Sequence, residues 1–526
     1  MLTALHLENF KGFSDRQSID LAPLTLLFGP NSAGKSTILQ AILYLHELVV
    51  HGTANVDRTD HGGSTLELGG FDRLVHRHET HRSIVLRAEF TTPRSLERFG
   101  RNLDRFPFPN LDDDLGAAWL ELTIRKRTTA AFHGPLIDRA VIGVVGSPVP
   151  LVWLETGATL RAHEPLRARI NLGHPILAHA GPEVAEAWSA LALPEPDLVP
   201  TEPSSLDSDD PTEGHAPLTN RGLGFDDRHP LPVFALANNR PCALPALDEP
   251  LRVLVPQGGD PPTTAIADEI RTFLEMVVLG TAHQLVTALQ STHYIGPLRT
   301  IPVRGFLHER PGRTTGWADG LAAWDLLLAR GSEDLVRRTN AWLRRLGTGC
   351  QVVVQELLDP NADATGSRNN VDGAVRRLLL ETEAGSRVLP SEVGSGVSQV
   401  LPIVVAALHA RAGLIEQPEL HVHPAIQVGL GDLFIEAALR DGGQGPMMIE
   451  THSEHLILRV LRRIRQTTDG ELPDGSPGFS PDQLSVSCVE QGPFGTRIYR
   501  RHATADGDWS ERWPSGFFPE RREEVL

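Results

Sequence analysis

The chain has few cysteines, and this shortage restricts what the protein can be. Cys242, Cys350 and Cys488 are far apart and odd in number, which argues against the disulfide framework of small secreted domains. They suit a reducing compartment, so we expect a cytoplasmic protein. The sequence also lacks a charged-then-apolar leader and any apolar run of about 18 residues. It therefore predicts neither export nor a membrane span.

Basic side chains are outnumbered by acidic ones, and the net charge is -17 over 526 residues. Such a chain does not coat DNA or an anionic membrane by charge alone, although a local basic groove stays compatible with it. Hydrophobic residues make up 40% and charged residues 22%, as in ordinary soluble globular proteins. The length is too great for one core, so we expect two or three domains or a large insertion.

The clearest motif lies between an apolar strand ending at Phe28 and the helical run 38–45. It has the pattern G-x-x-x-x-G-K-S, which in this context is the phosphate-binding P-loop. Its backbone N–H groups and the helix N-terminus would bind a triphosphate, whereas the alternative is a glycine-rich turn without a ligand. We expect Lys35 against the β- and γ-phosphates and Ser36 on Mg²⁺. The nucleotide-binding candidates are Asn31, Ser32, Ala33, Gly34, Lys35, Ser36 and Thr37.

Lysine usage supports this interpretation, because the chain has only Lys11, Lys35 and Lys126 and is otherwise basic through arginine. A compact ammonium fits between phosphates where a wide, planar guanidinium does not. Lys11 precedes the P-loop strand, and two interpretations of it stand. It reaches the nucleotide, or it is an ordinary surface lysine.

A second cluster begins with a strand, 413–416, that ends in acid. An acid at this position beside a P-loop is the Walker-B arrangement, in which a carboxylate supports Mg²⁺. We therefore expect Glu416 and Ser36 to be the metal residues. The alternative is a buried strand that runs into a surface glutamate.

Two further segments flank that strand in the sequence. Ser395 and Gly396 open an apolar helix over 400–408, which makes either a phosphate-sized donor cluster or an ordinary helix cap. A strand ending at Glu450 leads into Thr451-His452-Ser453 and a helix over 456–464. These three residues could also simply cap that helix.

This order of motifs resembles the ATP-binding-cassette (ABC) ATPases, above all the RecF, structural-maintenance-of-chromosomes and overcoming-lysogenization-defect group. The segments Ile-Glu-Gln-Pro-Glu-Leu-His-Val-His-Pro at 415–424 and Glu-Thr-His-Ser-Glu-His-Leu at 450–456 are most similar to the last of these. The tail at 513–518 is similar to a bacterial subfamily. The resemblance covers residues 1–90 and 290–526.

The resemblance implies an α/β fold, namely an ABC-type P-loop head with a mixed central sheet, an antiparallel β-subdomain and a large insertion. We expect the two halves of the head at 1–92 and 291–470. The β-subdomain and insertion would occupy 93–290, with an irregular, Pro/Gly-rich acidic stretch over about 193–262. A short β extension would follow at 471–526.

The resemblance also implies a homodimer that sandwiches two ATP molecules. Each site would join the P-loop, Glu416 and His452 of one subunit to Ser395 and Gly396 of the other. His452 would then be the switch histidine at the γ-phosphate. A partner effector protein and a role in antiphage defence or DNA maintenance are further expectations from this group.

One residue departs from the pattern of the group. The familiar cassette has a glutamate after the metal carboxylate, and this chain has Gln417. An amide positions water but does not accept its proton. Hydrolysis is then slow and the closed dimer long-lived, or Glu419 substitutes as the base. His421 and His423 give only a weak indication of zinc.

Three functions compete. The first is an ATP-gated switch that acts on a partner protein or nucleic acid, the second a component whose nuclease is a separate protein, and the third a structural ATP-binding scaffold.

Residues 466–526 read as one strand pair, 484–490 with 496–501, and Asp506-Gly507-Asp508 reads as a turn. The best nucleic-acid feature is a helix with Arg459, Arg462, Arg463 and Arg465, although a solvated or dimer-facing role is equally compatible.

Periodicity gives the remaining expectations. We expect a hairpin of Leu2–Glu8 with Ile19–Phe28, and strands over 83–90, 118–126, 140–145, 151–155, 294–299, 351–357 and 375–382. Long helices are expected over 264–290 and 321–346.

Overall fold

The computed structural model describes residues 1–91, 106–108, 111–161, 163–193, 231–255, 261–303, 316–357, 375–442 and 445–511. The chain divides into two compact units. Unit 1 comprises residues 1–47, 56–79 and 287–526, and unit 2 comprises residues 48–55 and 80–286.

The elements follow one another in three segments of the chain. The first contains β1 (Leu2–Glu8), β2 (Gln17–Asp20), β3 (Leu24–Phe28), α1 (Lys35–His51) and α2 (Phe71–Leu74). The second contains β4 (Ile84–Thr91), α3 (Leu111–Asp114), β5 (Ala117–Thr128), β6 (His133–Val144), β7 (Val152–Glu155), β8 (Leu166–Ile170), α4 (Gly181–Ser189), β9 (Val233–Leu236), α5 (Pro261–Leu274) and α6 (Thr281–Gln290). The third contains β10 (Thr292–Ile295), α7 (Leu321–Leu328), α8 (Glu333–Arg345), β11 (Cys350–Leu357), β12 (Val375–Thr382), β13 (Arg387–Val388), α9 (Ser395–His409), β14 (Ala412–Glu416), α10 (Pro424–Leu439), β15 (Met447–Glu450), α11 (Glu454–Asp469), β16 (Leu484–Gly492) and β17 (Gly495–Arg501).

Unit 1 is built on a six-stranded sheet in the order β10-β14-β15-β3-β16-β17. The first five strands are mutually parallel, and β17 returns antiparallel to β16. The expected mixed central sheet is therefore confirmed. Strands β3, β14 and β15 are buried along their whole length, as expected for parallel strands covered on both faces.

The expected hairpin of Leu2–Glu8 with Ile19–Phe28 is wrong in its second half. Of the expected second strand, the part in β2 pairs with β1, whereas β3 joins the central sheet instead. Pro23 lies between β2 and β3, where it has no N–H for a ladder, and Thr25 Oγ1 accepts from the Ala22 N–H at 3.1 Å. This break lets one apolar run serve two sheets.

The expected single helix over 321–346 is also wrong, because α7 ends at Leu328 and α8 begins at Glu333. Gly331 between them has φ of 80°, a left-handed conformation that favours glycine and ends helices. Both helices pack on the sheet with α9, α10 and α11 in one apolar core. Helix α9 starts at Ser395, earlier than its apolar run.

The C-terminal strand pair is confirmed, and it is part of the central sheet. Strand β16 runs parallel to β3, and the β16–β17 hairpin lies against the P-loop. There Thr496 Oγ1 donates to Ala33 O at 3.1 Å, and its N–H donates to Gly12 O at 2.8 Å. A second, three-stranded antiparallel sheet is formed by β11, β12 and β13.

Unit 2 contains the antiparallel strands β4-β5-β6-β7-β8-β9, each paired with the next. Strands β8 and β9 were not expected, and β9 lies inside the stretch expected to be irregular. Its four residues are all buried, which shows that a short apolar run within polar sequence still completes a sheet edge. Most of that stretch, and the tail at 513–518, lie outside the described residues.

The long helix expected over 264–290 is interrupted by a π-helical segment, Glu275–Gly280, between α5 and α6. By length and composition the run Pro261–Gln290 could cross a membrane, although no such span was expected, and it is the one such helix among the described residues. Of its most apolar window, 72% is buried in the protein. Core helices of soluble proteins can have the same length and apolar composition.

Beside β10, two histidines stack with a tryptophan in unit 1. His293 Nε2 lies 3.0 Å from His409 Nδ1, and the His293 ring stacks on Trp317 at a centroid distance of 4.2 Å. Burial, and then the neighbouring His409, lowers the pKa of His293 to about 4. Since the folded state disfavours the charged ring, this group stabilises the fold above its unfolded pKa of about 6.5. The stability is lost as pH falls toward 4.

We therefore predict that unfolding free energy falls by about 1–3 kcal/mol between pH 7 and pH 4.5 through His293. In His293→Gln this part of the pH dependence should disappear. Urea titrations at several pH values measure it, and the exposed His455→Gln serves as the control. Parallel pH profiles for wild type and His293→Gln would contradict the assignment.

Candidate active site

The P-loop joins β3 to α1 at the carboxyl end of the central sheet. Gly29 and Gly34 have φ of 148° and 108°, and a Cβ on Gly29 would lie 2.1 Å from Val489 O. Both positions therefore require glycine. Lys35 is 3% exposed, and its Nζ donates to Gly29 O at 2.9 Å and Pro30 O at 2.8 Å. The loop thus curls around the ammonium, while Asn31 and Ser32 are exposed at its tip.

Two carboxylates lie beside the P-loop at the ends of neighbouring strands. Glu416 ends β14 and Glu450 ends β15, and the two are register partners. Ser36 Oγ donates to Glu450 Oε2 at 2.6 Å, and Lys35 Nζ lies 3.9 Å from Glu450 Oε1. We expected Glu416 and Ser36 to be the metal residues, and a hydrogen bond with Ser36 is among the effects that lower the pKa of Glu416. The hydrogen bond at 2.6 Å goes to Glu450, whose strand lies between β14 and β3.

Both carboxyl groups are buried, and burial raises their pKa values. The pKa of Glu416 is raised to about 7 by burial and then by the charge of Glu450, although Tyr294 OH donates to its Oε1 at 2.8 Å. The pKa of Glu450 is also raised by burial, against the effects of Ser36 and Lys35. A divalent cation would compensate both charges, and the hydroxyl and carboxylate oxygens are ligands that Mg²⁺ prefers. The donor set therefore fits the metal.

Lys11 is not an ordinary surface lysine. Its Nζ donates to Gln40 Oε1 on α1, and its backbone has φ of 48°. Burial lowers the pKa of Lys11, and Glu416 raises it, so the ammonium is within electrostatic reach of the acids. That Lys11 reaches the nucleotide stays a prediction.

The turn after β14 fixes Gln417 and Glu419 in different ways. Gln417 has φ of 44°, and its N–H donates to Glu450 O at 2.8 Å. Glu419 accepts from Thr451 Oγ1 on one oxygen and from the His452 N–H on the other, both at 2.7 Å. Its carboxylate therefore ties the two loops together. Each oxygen keeps a second lone pair, so the choice between Glu419 as the base and Glu419 as a positioning residue stays a prediction.

His452 lies between β15 and α11 and is partly buried. Burial, and then Lys35, lowers the pKa of His452. The ring is thus neutral near pH 7 and within the field of the P-loop lysine. Ser453, rather than Thr451, caps α11, because its Oγ accepts from the Leu456 N–H at 3.2 Å. The cap of α11 is therefore made by Ser453, and capping does not explain why a histidine stands at position 452.

Within one chain, the described contacts of Ser395 and Gly396 do not include the P-loop. Ser395 is exposed at the start of α9, and a Cβ on Gly396 would lie 3.0 Å from His421 O. The structure therefore leaves these two residues outside the site of their own subunit.

Three weaker candidates have structural explanations. His423 caps α10, since its Nδ1 accepts from the Ala425 N–H at 3.2 Å. Gly507 in Asp506-Gly507-Asp508 has φ of 68°, and Thr504 N donates to Asp508 O, which confirms a turn. The basic helix is α11, in which Arg463 is buried and binds both oxygens of Asp432 at 2.7 and 2.8 Å. Arg463 is thus not available to nucleic acid.

Glu450, Tyr294 and Arg299 were not among the expected site residues. Glu450 was visible as the acid that ends a strand before Thr-His-Ser, the same signal that indicated Glu416. Tyr294 and Arg299 lie in and after β10, which pairs with β14. Arg299 Nη2 donates to Glu416 O at 2.7 Å and Gln417 O at 2.9 Å. Only the strand order brings them to the site.

Comparisons with known proteins agree with this geometry. A family model described as an AAA domain matches residues 4–47, which contain the P-loop. A second model, an AAA ATPase domain, matches residues 350–457, which contain Glu416, Glu450 and His452. Both halves of the site thus carry AAA-type ATPase sequence. Together with the P-loop geometry, this supports an ATP-binding P-loop ATPase. No curated protein matches the chain.

Solved structures also match along the chain. An SmcHead bound to the C-winged helix domain of ScpA has 10% identity and a TM-score of 0.39, covering 95% of this chain and 97% of that one. The SMC head domain from Thermotoga maritima has 9% identity and a TM-score of 0.35, with 95% and 98% covered. An Smc head domain with an extended coiled coil, bound to the C-terminal domain of ScpA and derived from Pyrococcus furiosus, has 10% identity and a TM-score of 0.35, with 95% and 96% covered. At TM-scores below 0.5 these likenesses decide nothing about function.

We predict that Glu450→Gln lowers the affinity for Mg²⁺·ATP about tenfold while changing the affinity for metal-free ATP less. The reason is that the amide removes one of two charges beside Ser36. Calorimetry with Mg²⁺ and with EDTA separates the two affinities. Glu436→Gln, which removes an exposed carboxylate paired with Arg345, is the control. Equal losses with and without metal would show that Glu450 does not support the cation.

Proposed function

We propose that the protein is a Mg²⁺-dependent ATPase that hydrolyses slowly and acts as an ATP-gated switch. The observation that carries this proposal is the cluster of Lys35, Ser36, Glu416 and Glu450 at the end of parallel strands. It combines a cation for phosphates with oxygen ligands for a metal. Bound Mg²⁺ would neutralise charge on the β- and γ-phosphates.

Lys35→Ala should lower ATP affinity by about 100-fold or more, because the buried ammonium is the point charge inside the loop. Calorimetry with ATP measures the loss. Lys126→Ala, which removes a lysine on β5 in unit 2, should bind as wild type does. Unchanged affinity in Lys35→Ala would remove the central assignment.

The proposal includes a homodimer in which two ATP molecules lie between subunits. Its support is that Ser395, which is exposed, and Gly396, which is half-buried, open α9, and that their described contacts do not include the P-loop of the same chain. The N-terminus of a long helix favours the phosphates of a bound nucleotide. Similarity to repair and defence ATPases is the basis for proposing a setting in DNA maintenance or antiphage defence, with a partner protein or nucleic acid as the target.

Ser395→Arg should block ATP-driven dimerisation without unfolding the chain, since a long cation at the start of α9 would clash at the interface. Light scattering with and without Mg²⁺·ATP measures the mass, and turnover is measured beside it. Ser391→Arg, another exposed position four residues earlier, is the control. One unvarying mass and unchanged turnover in all samples would contradict the dimer.

The switch character depends on Gln417. Metal and phosphate contacts stabilise the ground state and transition state alike, so they give tight binding without rate. A group that takes the proton of water contributes about 10²–10⁴-fold, and an amide does not supply it. The hydrogen bonds of Glu419 to Thr451 and His452 support the view that no other carboxylate in this turn is the base.

We therefore predict that Gln417→Glu raises hydrolysis and shortens the lifetime of the dimer. Glu419→Gln should change turnover little, because an amide oxygen keeps one of the two hydrogen bonds. Steady-state phosphate release and dimer dissociation after ATP removal measure both effects. If wild-type turnover is fast and Glu419→Gln abolishes it, Glu419 is the base and the slow switch is wrong.

A further inference from the structure

Arg299 is a buried cation. Its side chain contacts the backbone of the turn that begins at Glu416 and Gln417, which we call the acid turn. Arg299 is 4% exposed, and its Nη2 donates to the two successive carbonyl oxygens of Glu416 and Gln417. Burial lowers the pKa of Arg299 to about 10, against Glu419 and Glu416, which raise it. The guanidinium therefore remains charged near pH 7, and both hydrogen bonds are charge-assisted.

Those carbonyls belong to a turn that the backbone alone does not favour. Gln417 has φ of 44°, in the left-handed region where side chains other than glycine are rare. Its N–H donates to Glu450 O at 2.8 Å. Arg299 and β15 thus fix the orientation of Gln417 between them.

Helix α9 in turn holds Arg299. Gln399 Nε2 donates to Arg299 O at 2.7 Å, and Gln399 is 7% exposed. Gln399 follows Ser395 by four residues, so both lie on one face of the helix. A chain of hydrogen bonds therefore leads from Gln399, one helical turn after the exposed Ser395, to the turn that carries Gln417.

The arrangement leaves part of the cation unsatisfied. Nε and Nη1 of Arg299 are buried and have no hydrogen-bond partner among the described residues. Unmet donors on a buried charged group are unfavourable. Glu419 and Glu416, the acids that raise its pKa, are the negative charges within electrostatic reach of these free donors.

We propose that Arg299 is a positioning residue that couples the start of α9 to the Glu416–Gln417 turn. Contact of another molecule with Ser395 shifts α9 and with it Gln399, and Gln399 shifts Arg299. Arg299 then changes the orientation of the Glu416 and Gln417 carbonyls and so the position of Gln417. The interpretation that a second subunit controls hydrolysis through this coupling rests on the proposed function. The coupling itself exists in the single chain.

Hydrogen exchange of the nucleotide-free chain tests the coupling directly. Arg299→Met and Gln399→Leu should each raise amide exchange over 417–423 about tenfold, as expected for the loss of a charge-assisted or buried hydrogen bond. The double variant should exceed the larger single effect by less than about twofold, because both changes break the same path. Arg440→Met is the matched control, since Arg440 donates to Leu408 O and Ala407 O at the other end of α9.

The outcomes separate this inference from the proposed function. Unchanged exchange over 417–423 in Gln399→Leu, or an equal rise in Arg440→Met, overturns the coupling. Thermal unfolding identifies a variant that fails to fold, in which case Arg299→Lys replaces Arg299→Met. With ATP, both variants should lower kcat about tenfold and leave KM and ATP affinity within about threefold. A wild type that binds no ATP would contradict the proposed function and leave the exchange result standing.

Discussion

Two carboxylates buried side by side are the constraint on which the rest of this site depends. Glu416 and Glu450 are register partners on parallel strands, so their charges repel in a region from which water is largely excluded. Hydrogen bonds from the hydroxyls of Ser36 and Tyr294, and the positive charges of Lys35 and Arg299, partly offset this repulsion. The two negative charges are therefore only partly compensated by the protein, and a bound cation would compensate the rest.

The sequence alone is enough for those parts of the site that lie on one continuous segment. The P-loop, the acid of Glu416 and the polar end of β15 are local patterns, and the structure has strands and helices at all three. Glu450 carries the same local signal as Glu416, but its contact with Ser36 was not predictable in this way, because that contact follows from β15 lying between β14 and β3. Strand order in a parallel sheet is set by crossover connections and long-range packing, which periodicity does not record. Arg299 was missed for the same reason, being 117 residues from its carbonyl partner on Glu416.

The errors in secondary structure have a common origin as well. Pro23 divides an apolar run between two sheets, and Gly331 divides a helical run between α7 and α8. In both cases the hydrophobic pattern continues across the break, since both sides are buried in unit 1. A pattern of buried side chains reports where the core lies, but a single residue with special backbone chemistry decides where an element ends.

The geometry of the acid turn bears on why a glutamine is tolerated at 417. Its backbone is held on three atoms, by Arg299 at the carbonyls of Glu416 and Gln417 and by Glu450 at the Gln417 N–H. A third carboxylate at this half-buried position would add to the repulsion between Glu416 and Glu450, and would raise the pKa of each further. A neutral amide keeps the hydrogen-bonding capacity for water without that cost. An amide at this position thus fits the slow hydrolysis proposed above, in which proton removal, rather than phosphate binding, is the slow step.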